Sequence, residues 1–190
     1  MGGATNDTKA RMVLGAKTLM RRHGFEATSF KDVWEFTSTP RGSVYFHFPD
    51  GKQQLALDVI ASAVETLLEW TGNAEAKSSG VNDFVVALTK EMADFLEDSG
   101  FDEGCPIAAI AIETSPRSEV LRTATSEAFQ TWAQRIADIL VARGVDARTA
   151  PSRATAITAA LQGAVVISKA DRSRYALDMV CDLIVRGLPV

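Results

Sequence analysis

Apolar residues recur at helical spacing along almost the whole chain. In the first segment, Met12 and Ala16 are four residues apart, and Leu19 and Met20 follow Ala16 by three and four residues. This spacing places all four on one face of a helix. No stretch of useful length alternates apolar and polar residues as a half-buried strand does. We therefore predict an all-α fold of about nine helices, over residues 8–23, 30–36, 40–46, 52–71, 81–98, 105–114, 117–143, 149–170 and 174–187.

At 190 residues the chain is long enough for one substantial core, or for a small module that shares a core with a larger one. We predict a three-helix N-terminal domain over residues 1–50 and a larger helical domain over residues 51–190. The N-terminal sequence lacks the apolar stretch of a secretory signal, and no apolar run approaches the roughly 18 residues of a membrane span. These features predict a cytoplasmic protein with no membrane partner.

The charges are distributed unevenly along the chain. Through Lys52 the chain carries eight Lys or Arg residues against five Asp or Glu, a net charge of +3. The remainder carries 12 basic and 19 acidic residues, a net charge of −7. A basic N-terminal part on an acidic body favours the approach of that end alone to a polyanion.

Two short predicted helices follow each other between residues 28 and 48. Thr28 or Ser29 is suited to cap the first of them, and Pro40 is predicted at the first position of the second. A turn of four residues separates the two helices. This is the spacing of a helix-turn-helix, whose second helix reads the major groove of DNA while the first braces it. We expect the apolar side chains of this segment to pack inward, namely Val33, Phe36, Val44 and Phe48.

The remaining side chains of the second short helix and its turn suit contact with DNA. Arginine pairs with guanine edges or phosphates, hydroxyl groups pair with either, and tyrosine reaches phosphate oxygens. Lys52 opens the next helix, where its ammonium and the first amides would face a phosphate. We expect five residues to be available on or beside the outer face, namely Thr39, Arg41, Ser43, Tyr45 and His47. Composition alone also allows these residues to be ordinary solvated side chains.

The segment 25–48, FEATSFKDVWEFTSTPRGSVYFHF, closely resembles the N-terminal domain of the TetR family. It matches the G-[FY]-x-x-T-[ST] motif from Gly24 and the G-[ST]-[LV]-Y-x-[HY]-F motif from Gly42 without a gap. The resemblance implies that Arg41, Gly42, Ser43, Tyr45 and His47 belong to the recognition helix and that Thr28, Tyr45 and Lys52 contact phosphates. Ser38, Thr39 and Pro40 depart from the Gly, Val and Ser or Thr that are usual in the family. The predicted DNA-binding residues are Thr28, Thr39, Pro40, Arg41, Gly42, Ser43, Tyr45, His47 and Lys52.

Two later segments, FPDGKQQL and residues 104–113, GCPIAAIAIE, look like the LmrA/YxaF-type branch of that family. The resemblance implies a homodimer that binds pseudo-palindromic double-stranded operator DNA. A single recognition helix reads few bases, which also favours a dimer. Small residues at steps of three and four suit close helix packing, and a four-helix bundle between two copies would use Ala156, Ala159, Ala160, Gly163, Leu177, Cys181 and Ile184.

The larger domain also contains many bulky apolar side chains. Such residues are more often plain core than pocket, but together with the resemblance they predict a site for a small apolar or aromatic effector. The predicted pocket residues are Leu67, Trp70, Leu88, Met92, Ile107, Ile110, Glu113, Phe129 and Trp132. Glu113 is a candidate polar anchor in this pocket, and Gln130 and Thr89 are two more.

These features predict a transcriptional repressor that its ligand releases from DNA, associated with the nucleoid when bound. A DNA-binding regulator without a small-molecule effector, either an activator or one controlled by another protein, fits the same sequence. Catalysis is not expected, because the chain has two histidines, no glycine-rich phosphate loop and no Gly-x-Ser-x-Gly motif. We expect no catalytic residue, metal or cofactor. Cys105 and Cys181 are expected to be buried thiols, although a redox pair remains an alternative.

Overall fold

A computed structural model of the chain describes residues 2–187, with side chains from residue 7 onward. In this part of the chain every regular element of secondary structure is a helix, and the all-α prediction is confirmed. None of the described helices is long and apolar enough to cross a membrane. The helices are α1 Gly2–His23, α2 Phe30–Thr37, α3 Arg41–His47, α4 Lys52–Ala76, α5 Val81–Asp98, α6 Pro106–Thr114, α7 Glu119–Ala142, α8 Ala150–Asp171 and α9 Tyr175–Gly187.

The helices group into two compact units. The first unit comprises Met1–Ala63 and Cys105–Ala128, and the second comprises Val64–Gly104 and Phe129–Val190. Helix α6 therefore belongs to the same unit as α1, α2 and α3, while α4 and α7 each contribute residues to both units. The domain boundary at residue 50 stays a prediction.

Helix α2 begins at a capping box. The Ser29 hydroxyl accepts a hydrogen bond from the Asp32 N–H at 3.2 Å, and the Ser29 N–H donates to Asp32 Oδ2 at 2.7 Å. The two bonds satisfy backbone donors that a helix leaves unpaired at its start. Hydrogen bonds from the Ser29 side chain and backbone hold the pKa of Asp32 below its usual value. Ser29, one of the two predicted caps, is thus the residue that begins the helix.

The turn between α2 and α3 depends on a left-handed residue. Ser38 lies at φ 51°, ψ 40°, and its N–H donates to the carbonyl of Glu35. Thr39 follows with an N–H bond to the Trp34 carbonyl at 3.0 Å. Pro40 is the N-cap of α3 rather than its first helical residue, which corrects the prediction by one position. The left-handed conformation explains why glycine suits the position of Ser38 in the family that the sequence resembles.

One side of α3 packs into the core of the first unit. Val33 of α2 and Val44 and Phe48 at α3 are fully buried, as predicted, together with Met12 and other α1 side chains. Phe36 is 50% exposed, so its predicted place in the core is wrong. It lies three residues after Val33 on a helix of eight residues, and the inward face of so short a helix is narrower than its apolar pattern.

Helix α4 continues past Thr71, where we predicted its end. Gly72 does not break the helix, which reaches Ala76 because its last turn is held by tertiary contacts. Ala74 is buried, and Glu75 forms an ion pair with Arg135 of α7. Arg143 donates to the Glu75 carbonyl at 2.9 Å. These contacts outweigh the low helix propensity of one glycine.

The second unit is a helical core around α5, α8 and α9, which pack against one another. Trp132 of α7 is fully buried, and its indole N–H donates to the Thr71 hydroxyl at 2.9 Å. That hydroxyl in turn donates to the Leu67 carbonyl at 2.6 Å. The only polar atom of this large side chain is therefore satisfied inside the core.

Ser38→Gly is expected to raise the free energy of unfolding by roughly 0.5–1 kcal/mol, because glycine removes the Cβ that makes a left-handed residue costly. Urea unfolding measures the change. Ser38→Ala is the matched control, since it keeps the Cβ and should give no increase. A lower unfolding midpoint for Ser38→Gly than for the wild type would contradict the role given to this turn.

Candidate DNA interface

One face of α3 is open to solvent. Arg41, Gly42, Tyr45 and Phe46 are exposed, and they form two adjacent pairs one helical turn apart. Val44 and Phe48 occupy the opposite side and are buried. Helix α3 therefore presents to solvent a narrow face of one cationic, one small and two aromatic residues.

Aromatic contacts with α2 restrict the position of the Tyr45 ring. Its ring meets Phe30 of α2 edge to face, with ring centroids 6.0 Å apart, and Phe30 in turn stacks on Phe48 at 6.3 Å. Tyr45 is nevertheless 58% exposed. An aromatic ring that is packed on one edge and exposed on the other presents its hydroxyl in a defined position.

Arg41 is also oriented by the preceding helix. Its guanidinium lies 5.5 Å from the centre of the Trp34 ring, within the range of a cation–π contact. The residue itself stays exposed at the start of α3. The contact restricts the side chain without neutralising its charge, which suits it for pairing with a base edge or phosphate.

Gly42 is not required by the packing of the protein. A Cβ at this position would meet no atom within 4 Å. Glycine in a helix costs stability relative to alanine. Packing within the described chain gives no reason for glycine here, whereas close approach of a DNA backbone or base edge would be one.

Other predicted DNA-binding residues differ in their exposure. Pro40 is exposed, and Ser43 and His47 are half-buried. Thr39 is buried with its hydroxyl 2.8 Å from that of Thr37, so its predicted place on the outer face is wrong. Thr28 is buried as well.

The hydroxyl of Thr28 has an internal role. It donates to the Gly24 carbonyl at 2.7 Å, inside the loop between α1 and α2. In the described structure the side chain is therefore not presented for a phosphate contact. A threonine in a turn is suited to either role, since its hydroxyl bonds local carbonyls as readily as external groups.

Lys52 lies at the start of α4 and is half-buried. Its ammonium donates to the Glu26 carbonyl at 3.1 Å and lies 4.3 Å from the centre of the Phe25 ring. Burial lowers the pKa of Lys52, and nearby carboxylates, Glu26 first among them, oppose that shift. Lys52 thus supports the loop before α2, and its predicted phosphate contact stays a prediction.

Phe46 was missed by the sequence reasoning. It is 72% exposed and lies next to Tyr45 on the open face of α3. Apolar side chains in the major groove contact the methyl group of thymine. The signal available in the sequence was an apolar residue two positions after Val44, on the side opposite the core.

The predicted pocket residues are divided between the two units. Ile107, Ile110 and Glu113 belong to the first unit, and the other predicted pocket residues belong to the second. Leu67, Leu88, Met92 and Trp132 are buried, the Trp70 ring lies tilted against that of Phe95 with centroids 5.2 Å apart, and Phe129 is half-buried. Glu113 accepts a hydrogen bond from the Glu26 N–H, and its predicted role as a polar anchor stays a prediction.

A groove of about 500 Å³ lies between α7 and α8 in the second unit. Its apolar lining includes Phe129, Ala133 and Pro151. Thr158 also lines it and is only 7% exposed, yet its hydroxyl has no hydrogen-bond partner. The amide of Gln162, a further lining residue, is buried and unpartnered at both its oxygen and its nitrogen. Buried polar groups without partners are costly, and ligands are one way to satisfy them.

A smaller groove of about 330 Å³ lies between α5 and α9, lined by Thr89, Cys181 and neighbouring residues. Burial raises the pKa of the Cys181 thiol, so this thiol is less reactive than an exposed one. Cys105 and Cys181 are half-buried rather than fully buried, and neither is in a disulfide.

The outer face of α8 and α9 exposes apolar and small residues. On α8 these are Ala156, Ala159, Gly163, Val166 and Ile167, with Ala160 half-buried. A Cβ at Gly163 would meet no atom within 4 Å, so packing within the protomer does not require glycine there.

The predicted interface on α9 has to be corrected. Leu177 is fully buried within the protomer, Cys181 lines the groove against α5, and Ile184 is half-buried. The outward side of α9 carries Tyr175, Met179 and Leu183, of which Leu183 is 69% exposed. Helix α9 has two apolar stripes, and α5 and α8 cover the one that we assigned to a partner.

The open face of α3, braced by α2 across the three-residue turn 38–40, defines a helix-turn-helix DNA-binding protein. Comparison with known proteins agrees with this class. Residues 13–59 match the family described as bacterial regulatory proteins, tetR family. Residues 82–182 match the C-terminal domain of LmrA/YxaF-like transcriptional regulators.

Individual relatives cover nearly the whole chain. An HTH-type transcriptional regulator of Mycobacterium tuberculosis is 30% identical over 90% of this chain and 89% of its own length. The HTH-type transcriptional regulator LmrA of Bacillus subtilis is 27% identical over 85% and 86%. The crystal structure of a TetR transcriptional regulator from Legionella pneumophila shares the fold with a TM-score of 0.85, at 19% identity, covering 96% of this chain and 97% of that one.

The chain belongs to the TetR family of transcriptional regulators, with a C-terminal domain of the LmrA/YxaF-like type. It is a DNA-binding transcriptional regulator. Regulators of this family bind operator DNA and dimerise.

Gly42→Ala is expected to separate stability from DNA binding. Helix propensity should raise the free energy of unfolding by roughly 0.5–1 kcal/mol, since the new Cβ has open space. Operator affinity should fall by about tenfold, or about 1.4 kcal/mol, because the Cβ stands between α3 and the groove. Thermal melting and fluorescence anisotropy measure the two effects.

Gly72→Ala in α4 is the matched control. A Cβ there also meets no atom within 4 Å, so it should raise stability in the same way and leave DNA affinity unchanged. Equal operator affinity for Gly42→Ala and the wild type would remove Gly42 from the interface.

Proposed function

We propose that this protein is a homodimeric transcriptional repressor that binds a pseudo-palindromic operator and is released by a small, mainly apolar ligand. The observation that carries the proposal is the open face of α3 with its exposed Arg41, Gly42, Tyr45 and Phe46. Arg41 would read a guanine edge or bind phosphate, Tyr45 would bind phosphate, and Phe46 would contact a thymine methyl. Ser43, His47 and Pro40 would lie at the edge of the contact.

Dimerisation is supported by the outer face of α8 and α9. This face carries Val166, Ile167, Met179 and Leu183 exposed to solvent, beside the open Gly163. Exposed apolar side chains clustered on two adjacent helices mark an interaction surface. Two copies joined through this face would form a four-helix bundle and hold two recognition helices about one DNA turn, roughly 34 Å, apart.

Repression needs the fewest additional features. A protein that occupies an operator within a promoter excludes other proteins from the same DNA, and this requires no contact beyond DNA binding itself. Activation would require a further surface directed at the transcription machinery. The DNA interface alone therefore supports repression over activation.

The groove between α7 and α8 is the proposed ligand site. Its lining is largely apolar, with Thr158 and Gln162 as the unpartnered polar groups. A hydroxyl and an amide together favour a ligand with an aromatic or aliphatic body and one group that both donates and accepts hydrogen bonds, such as an amide or a phenol.

Release from DNA follows from the position of this groove on α8. Ala159 lines the groove and is also on the exposed face proposed for the dimer. A ligand that shifts α8 would change the relation between the two copies. The two recognition helices would then no longer match both half-sites, and the ligand would bind this unmatched conformation more tightly.

The DNA proposal is tested by selection from a pool of random duplexes, followed by binding of the selected duplex. We expect an inverted repeat with two half-sites 10–10.5 base pairs apart, or a multiple of that spacing. Leu183→Glu should convert a dimer into a protomer of 20.4 kDa in light scattering and weaken operator binding. The charge would be buried without a partner in the bundle.

Val120→Glu is the control for this experiment. Val120 is also exposed but belongs to the first compact unit, whereas α8 and α9 belong to the second, so the dimer and its DNA affinity should persist. Selection of no duplex would refute the DNA proposal, and a dimeric Leu183→Glu variant would refute the assignment of the interface.

Thr158→Val is expected to stabilise the protein by about 1 kcal/mol and to weaken its ligand response. The substitution keeps the shape of the side chain and removes a buried hydroxyl that has no partner. A thermal-shift screen of aromatic amides and phenols, followed by operator release, measures both effects.

Thr155→Val is the matched control. The Thr155 hydroxyl lines the same groove but donates to the Pro151 carbonyl at 2.9 Å, so its loss should lower stability slightly and spare the ligand response. Hits that respond equally in the two variants would place the ligand elsewhere. A screen without any stabilising compound would favour a regulator without a small-molecule effector.

A further inference from the structure

The end of α6 holds the loop that leads into the helix-turn-helix. Glu113, the penultimate residue of α6, accepts a hydrogen bond from the Glu26 N–H at 2.6 Å. The two residues are 87 positions apart in the sequence but lie in the same compact unit. Hydrogen bonds to an ionised carboxylate are stronger than those between neutral groups.

The loop is shaped to receive this carboxylate. Gly24 adopts φ +90°, a left-handed conformation that favours glycine, and a Cβ there would collide with Glu113 Oε1. The absence of a side chain at Gly24 therefore provides both the turn and the space for the carboxylate. The fit is specific to the loop rather than a general surface contact.

Glu26 is also bound from α4. Its carbonyl, which belongs to the peptide unit after the one whose N–H Glu113 binds, accepts a hydrogen bond from Lys52 at 3.1 Å. An exposed ion pair with Arg117, at 3.3 Å, adds little because solvent screens it. Both backbone polar groups of Glu26 are thus fixed by side chains from other helices.

The loop leads directly to the DNA-reading element. Ser29, which caps α2, follows Glu26 by three residues, and α2 carries the Phe30 and Trp34 rings that orient Tyr45 and Arg41. We propose that Glu113 is a positioning residue for DNA recognition, which fixes α2 through Glu26 and so sets the direction of α3. This inference rests on the proposed contact of α3 with DNA.

Substitutions at Glu113 separate this role from a change of charge. Glu113→Gln keeps an acceptor for the Glu26 N–H but loses the charge, while Glu113→Asp keeps the charge but is one methylene shorter and does not reach. Glu113→Ala loses both. We expect the Gln variant to bind the selected operator duplex within about twofold of the wild type, and the Asp and Ala variants to bind it about tenfold more weakly.

A random-sequence duplex of equal length provides the second readout. Loss of folded protein would lower affinity for both duplexes by the same factor, whereas misplacement of α3 lowers operator affinity more than affinity for random DNA. The ratio of the two affinities should therefore fall for Asp and Ala and persist for Gln. Melting temperatures confirm that each variant is folded at the assay temperature.

Two results would overturn the inference. Equal operator affinity for the Gln, Asp and Ala variants would show that the hydrogen bond has no effect on recognition. Equal losses on both duplexes would assign Glu113 a structural role alone. If the Ala variant does not fold, the comparison of Gln with Asp gives the same answer. Failure of the wild type to select any duplex would instead refute the proposed DNA contact.

Discussion

The burial of Val44 and Phe48 behind α3 is the interaction on which the DNA interface depends. Helix α3 has seven residues, and a helix of this length is not stable alone in water. Its conformation comes from packing on α1 and α2, with Phe30 stacked on Phe48 and the left-handed Ser38 setting the turn. Because two inward residues determine the rotation of so short a helix, they also determine which residues face outward.

Several features of the chain have no explanation within one protomer. Gly42 and Gly163 lie on helices where alanine would be more stable, and neither has a neighbour that would hinder a Cβ. Thr158 and Gln162 bury polar atoms without partners. Each lies on a separate surface: the face of α3, the outer side of α8 and the groove between α7 and α8. These surfaces are the ones proposed to meet DNA, a second copy and a ligand.

The helices could be predicted from the sequence because apolar spacing, capping residues and glycine or proline breaks act locally. The predicted ends lie within two residues of the observed ones for most helices, and the capping residue Ser29 was among the candidates. The exceptions are α1, which begins at Gly2 rather than at residue 8, and α4, which ends later than predicted for a tertiary reason. Helix α4 passes through Gly72 because two arginines bind Glu75 in its last turn. Arg135 of α7 forms an ion pair with the Glu75 carboxylate, and Arg143, directly after α7, donates to the Glu75 carbonyl. Thr39 is buried although its polarity favoured exposure, because its hydroxyl meets that of Thr37.

The sequence by itself determined the helical class, the helix-turn-helix and its basic charge, since all three are properties of neighbouring residues. Tertiary structure alone decided which of the two apolar stripes of α9 is covered, because periodicity defines faces but not the helices that pack on them. It also decided the hydrogen-bond partner of Glu113, a residue that the sequence suggested for a ligand pocket. A carboxylate binds whichever donor the fold brings near, and here that donor is the Glu26 N–H, 87 residues away.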